Sequence, residues 1–83
     1  MTKLQEMRKS KKITQLELSA RTGISIRTIQ SYESGGRSFD GARLEVLLKC
    51  AIALGCKLED LIDSEECVRL LRTYGKSREI WRD

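Results

Sequence analysis

The sequence has no histidine and no proline, one tryptophan, one phenylalanine, two tyrosines and three cysteines. Without histidine a nucleophilic cysteine lacks its usual base, and the commonest metal ligand is missing. Cys50, Cys56 and Cys67 are odd in number and form no C-x-x-C pair, so they cannot build a complete disulfide framework. A zinc site would need all three thiolates plus a carboxylate from unusual spacings. Reduced thiols filling small apolar gaps are the better reading, and neither a metal nor a cofactor is expected. The clustered carboxylates Glu59, Asp60 and Asp63 read as a solvated face, so the chain is not expected to be an enzyme. No stretch approaches the roughly 18 apolar residues of a membrane span. The opening MTKLQEMRKSKK carries no apolar secretory core, so the cytoplasm is the expected compartment and no membrane is involved.

What is present is charge and helical spacing. In 83 residues there is room for one core, and 34% of positions are charged, with a net of +4. The positive charge is uneven. Residues 1–37 hold eight Lys/Arg against Glu6, Glu17 and Glu33, a net of +5, whereas residues 38–83 net −1. A polyanion-facing surface needs such a half, although a basic half alone does not establish one.

Apolar spacing predicts helices almost throughout and no strands. A first helix fits roughly 2–11, with Leu4 and Met7 inward and Ile13 following. Thr14 with Glu17 three residues later is a capping-box signature for a second helix, carrying Leu18 inward and closed by Gly23. Ser25 caps a third helix, 26–34, with Ile29 and Tyr32 inward, and Ser34-Gly35-Gly36 ends it. Asp40 is the expected cap of a long fourth helix reaching Leu54, with Leu44, Leu47, Leu48, Ala51 and Leu54 inward. Gly55 terminates it, and a short fifth helix follows at about 58–63. Ser64-Glu65-Glu66 starts a further segment with Val68, Leu71 and Tyr74 on one side. Gly75 is expected to break that segment, leaving Ile80 and Trp81 in a polar tail. The expected fold is all-α: a compact five-helix domain over 1–63 with a short C-terminal helical extension, 64–83.

Residues 14–35, TQLELSARTGISIRTIQSYESG, carry the functional signal. Two helices cross closely only if the first presents a small residue, here Ser19. The turn needs a residue tolerant of positive φ, Gly23, and the second helix must return an apolar anchor, Ile29. A helix held out by such a turn can enter a groove about 12 Å wide. An A-form RNA major groove would not admit it, and the chain lacks the aromatic-bearing sheet of common RNA modules.

Over roughly residues 4–63 the chain resembles the lambda-repressor-like family of bacterial and phage regulators, also called the xenobiotic-response-element family. The matching residues are Leu4, Met7-Arg8, Thr14-Gln15, Leu18-Ser19, Gly23-Ile24-Ser25, Ile29, Tyr32-Glu33 and Gly35. They resume at Leu47–Ala51, Ala53–Cys56 and Leu58–Leu61. The resemblance implies a sequence-specific regulator, a repressor by preference, that binds double-stranded DNA as a homodimer. Ser25, Ile26, Arg27 and Ser31 would face base edges, and Arg27 could fork onto guanine. Gln15 would meet a backbone phosphate at the start of the second helix, with Thr28 on the sugar-phosphate. Arg8 and Glu33 match a pair that in this family forms a buried structural ion pair.

The competing readings are bland ones: Ile26 as core, Arg27 as a solvated charge, Gln15 as a helix-start residue. Lys9, Lys11, Lys12 and Arg37 flank the unit as phosphate neutralisers or as idle surface charge. The linker Gly36–Gly41 is longer than in the family's shortest members, with Phe39 as a plug for the core. Lys57 stands where Ser or Thr often caps the fifth helix. The rival function is an antitoxin-like interaction module whose 64–83 tail binds a partner protein; its bland counterpart is a tail folded back onto its own domain.

Overall fold

The computed structural model describes the backbone of residues 1–80 and the side chains of residues 1–77. Trp81 and the side chain of Ile80, both assigned to a polar tail, lie outside the described residues. The fold is all-α, with no strand among the described residues. The helices are α1 (Lys3–Ser10), α2 (Gln15–Thr22), α3 (Ile26–Ser34), α4 (Leu44–Leu54) and α5 (Glu65–Ile80), with a single 3₁₀ turn, Leu58–Leu61, between the last two. None is long and apolar enough to cross a membrane.

Local chemistry sets most boundaries. The hydroxyls of Thr2, Thr14 and Ser25 accept the backbone N–H groups that open α1, α2 and α3. Gly23, Gly35 and Gly55 close α2, α3 and α4 with left-handed backbone, the conformation glycine adopts without a Cβ penalty. Leu4, Leu18, Ile29 and Leu61 are fully buried at the centre, with Leu47, Cys50, Ala51 and Leu54 of α4 closing one side. Burial pushes the Cys50 thiol up to about 11, so at neutral pH it is an inert apolar filler.

Four expectations fail, each for a physical reason. Asp40 does not cap α4. Arg43 holds the cap position without a side-chain bond, while the Asp40 carboxylate accepts the N–H groups of Asp63 (3.0 Å) and Ser64 (2.8 Å). Asp40 thus ties the loop before α4 to the entry of α5. Leu44 and Leu48, expected inward, are exposed on α4, because the core side of that helix is filled by Leu47, Cys50, Ala51 and Leu54. The fifth helix shrinks to a 3₁₀ turn. The residue at its N-cap, Lys57, has no side-chain acceptor to offer the orphan N–H groups; only Asp60 reaches back, to the Lys57 N–H at 3.2 Å. Gly75, finally, does not break the last helix: α5 runs through it to Ile80, since a single interior glycine costs only about 1 kcal/mol.

The extension is anchored at its start. Val68 is buried and Leu71 half-buried against the core, α5 packs on the 3₁₀ turn, and Arg72 Nε donates to Glu59 Oε2 at 2.8 Å. Further along, Leu70 and Tyr74 are exposed.

Candidate nucleic-acid interface

The α2–turn–α3 unit is assembled from short-range bonds. Thr14 Oγ1 accepts the Glu17 N–H at 3.0 Å, and Glu17 Oε1 accepts the Thr14 N–H at 3.1 Å. These bonds hold the Glu17 carboxyl below the usual carboxylate range. At the other end of α2, Thr22 Oγ1 donates to the Leu18 carbonyl and accepts the Ile24 N–H. The Gly23 N–H bonds the Ser19 carbonyl at 2.9 Å, with Gly23 at φ +77°. Ser19 Oγ reaches across the turn to the Ile24 carbonyl at 2.5 Å. The small residue, the glycine and the returning chain are therefore bonded to one another, and the crossing of α3 over α2 is fixed.

Along α3, Ile29, Tyr32 and Glu33 point inward and are buried. The 3.6-residue period then puts Arg27, Gln30, Ser31 and Ser34 on the opposite side. Arg27, Gln30 and Ser34 are exposed, and Ser31 and Thr28 half-buried. Ile26 is 37% exposed; Ile24 and Ile29 hold the inward positions on either side, so Ile26 stands at the edge of the outward face. Ser25 Oγ accepts the Thr28 N–H at 3.2 Å and donates to Thr28 Oγ1 at 2.8 Å. The two hydroxyls thus form the cap together. The outward face carries uncharged donors and acceptors around one guanidinium, a surface able to form forked hydrogen bonds with base edges.

One buried network sets where this face lies. Arg8 Nε and a terminal nitrogen donate to the two Glu33 oxygens at 2.7 and 2.9 Å, and its other terminal nitrogen donates to the Ile13 carbonyl at 2.8 Å. Gln15 Nε2 adds a bond to Glu33 Oε1 at 3.0 Å, and Gln15 Oε1 accepts from Gln30 Nε2 at 3.4 Å. Both ion-pair side chains are buried. The Glu33 hydrogen bond raises the Arg8 pKa, outweighing the opposing effect of burial. Through Arg8 and Glu33 the loop after α1, the start of α2 and the last turn of α3 are locked together.

The Gln15 carboxamide is turned onto Glu33 rather than outward. What the start of α2 presents is therefore backbone N–H. Lys9, Lys11, Lys12 and Arg37 are all exposed. Lys11 lies within electrostatic reach of Cys56, and the Arg37 N–H bonds the Ser31 carbonyl at 3.1 Å, placing that residue beside the end of α3.

Two features were missed in the sequence. Gln30 shares the outward face and links it to Gln15; the same helical period that places Arg27 outward would have found it. Lys12 has positive φ, +58°. It closes α1 with paired bonds, Lys12 N–H to the Lys9 carbonyl and Ile13 N–H to the Arg8 carbonyl, a site that normally takes glycine. Lys12→Gly is expected to stabilise the fold by about 0.5–1 kcal/mol, the left-handed penalty less the chain entropy of glycine. Thermal unfolding measures it, and a fall in Tm would contradict the strain. If Lys12 also neutralises a phosphate, the same variant binds DNA less tightly, with a salt slope shallower by about 0.9.

The profile of a helix-turn-helix family matches residues 4–61. No curated protein and no solved structure matches the chain.

Proposed function

The chain belongs to the lambda-repressor-like helix-turn-helix family of DNA-binding regulators, and from that premise we propose that α3 lies in the major groove and reads sequence there. The observation that carries the reading is the outward face of α3, held in place by the buried Arg8–Glu33–Gln15 network. Arg27 forks onto guanine O6 and N7, Gln30 and Ser31 reach neighbouring base edges, and Ile26 meets a thymine methyl at the rim. Ser25 and Thr28 lie where the helix enters the groove, Ser25 toward a base and Thr28 toward the sugar-phosphate. The backbone N–H groups at Gln15, with Lys11, Lys12 and Arg37, take phosphates and fix the register.

A reader this small buries limited surface, so useful affinity calls for two copies on a two-fold site, with half-sites about 34–36 Å apart. Repression is the proposed mode, because occupancy of a promoter suffices for it. The cytoplasm is the proposed setting, where DNA and reduced thiols coincide. The role is binding, without catalysis.

A second reading rests on the exposure of Leu70 and Tyr74: an antitoxin-like role in which residues 64–83 hold a partner protein. Purification of the whole chain separates the two, since only the second yields a stoichiometric partner protein that Leu70→Glu/Tyr74→Glu releases.

The test is selection from a random duplex pool at near-physiological salt, with wild type and Arg27→Ala in parallel. Wild type should enrich a symmetric site. Arg27→Ala should lose about 1–3 kcal/mol there and relax one guanine preference. Enrichment that Arg27→Ala leaves unchanged would contradict the assignment of α3.

A further inference from the structure

Nine of the eleven residues of α4 are apolar; only Glu45 and Lys49 are not. A helix apolar nearly all round is normally covered on every side. Yet Leu44 is 65% exposed, Leu48 43% and Ile52 79%. They recur at i, i+4 and i+8 and so form one stripe along the helix. At its Leu44 end the stripe runs into an apolar groove of about 370 Å³ between α4 and α5. That groove is lined by Leu44, Leu58, Cys67, Leu70 and Tyr74, of which Leu70 and Tyr74 are themselves 59% and 64% exposed.

We propose that this face is the homodimer surface, with α4 packed antiparallel against α4 of a second copy about a two-fold axis beside Leu48. The pattern is self-complementary in that arrangement. Leu48 meets its own counterpart, and Leu44 meets Ile52 of the other copy. Ile52, the most exposed apolar side chain of α4, then stands over the groove beside Leu44, flanked by Leu70 and Tyr74. The exchange occurs twice, as an isologous interface requires.

Charge favours the same arrangement. Glu45 and Lys49 border the stripe on one side, one helical turn apart. A two-fold that reverses the helix direction keeps that side facing itself, and brings the Glu45 of each copy to the level of the other's Lys49. Arg43, 3.7 Å from Glu45 at the same edge, leaves the border electrically mixed rather than repulsive. A specific interface takes roughly 600 Å² or more from each partner, and Leu44, Leu48, Ile52, Leu70 and Tyr74 are the large exposed apolar side chains this face brings toward it. The choice of a second copy over a foreign protein rests on the DNA reading, which calls for two-fold pairing; the self-complementary pattern supports it independently.

Sedimentation equilibrium without DNA tests the surface, using wild type, Leu48→Glu, Glu45→Lys and Glu45→Lys/Lys49→Glu. Wild type should be a reversible dimer. Leu48→Glu should keep the helical circular dichroism spectrum and raise the dimer dissociation constant about 30-fold or more. Glu45→Lys should weaken pairing, and the double charge exchange should restore it. A wild type that stays monomeric at about 100 µM overturns the proposal, because weaker pairing would contribute little. So does a Leu48→Glu dimer of undiminished affinity, and failure of the charge exchange to rescue overturns the antiparallel arrangement. DNA binding is scored separately: a dimer formed as described that binds no duplex leaves this surface standing and removes the groove reading of α3.

Discussion

Glu33→Ala should cost about 3–5 kcal/mol, the usual penalty for removing one partner of a buried ion pair. Arg8 would keep its charge, since a guanidinium does not deprotonate in proteins. Of its three bonds only the one to the Ile13 carbonyl would remain, and Gln15 Nε2 would lose its acceptor. Against a total stability of about 5–15 kcal/mol for a domain, that is enough to leave the protein partly unfolded at physiological temperature. Urea unfolding measures the loss. The double variant Arg8→Met/Glu33→Leu should be far less damaging than the two single changes together, because no charge is then left buried. A cost for Glu33→Ala below about 1 kcal/mol would place the pair in the exposed class instead. Any partly folded Glu33 variant should also lose DNA affinity, since the network joins α3 to the start of α2.

Phe39→Ala should cost about 3–5 kcal/mol, although its residue sits in a loop. Phe39 is 2% exposed and meets the Tyr32 ring edge-on, with centroids 5.3 Å apart at 83°. Edge-to-face geometry contributes beyond burial. Tyr32 belongs to α3, so the loop side chain supports the inner side of the reading helix. Phe39→Leu retains most of the volume and should cost less than about 1.5 kcal/mol. Thermal unfolding separates the two variants. Equal effects would mean that the site responds to the loss of the ring and not to the cavity.

These two positions differ in how far the sequence revealed them. Caps and glycine closures were legible because their partners lie within five residues: Thr14 with Glu17, Ser25 with Thr28, Gly23 with Ser19. The Arg8–Glu33 pair, 25 residues apart, followed only from family resemblance; periodicity alone gives no reason to bury two charges. Asp40 shows where local reading ends. It resembles a helix cap, but its bonds go to Asp63 and Ser64, 23 and 24 residues away.

In α4 the apolar pattern is so nearly continuous that it selects no face. Nothing local distinguishes Leu44 and Leu48 from Leu47 and Ala51, so the spacing places all four inward. Lys12 was opaque for the opposite reason, since lysine carries no preference for left-handed backbone. On α3 the helical period gives the inward Ile29 and Tyr32, whereas the outward Ser25, Ile26, Arg27 and Ser31 followed from family resemblance, which does not include Gln30.

Chemical interference on a selected half-site tests the groove reading of α3 most directly. Dimethyl sulfate methylates guanine N7 in the major groove and adenine N3 in the minor groove, whose edges are distinct. Methylation at guanine N7 should block wild-type binding at defined positions, and Arg27→Ala should become indifferent at one of those guanines while remaining sensitive at the others. Interference confined to adenine N3, or a guanine pattern identical in wild type and Arg27→Ala, would contradict α3 as the major-groove reader.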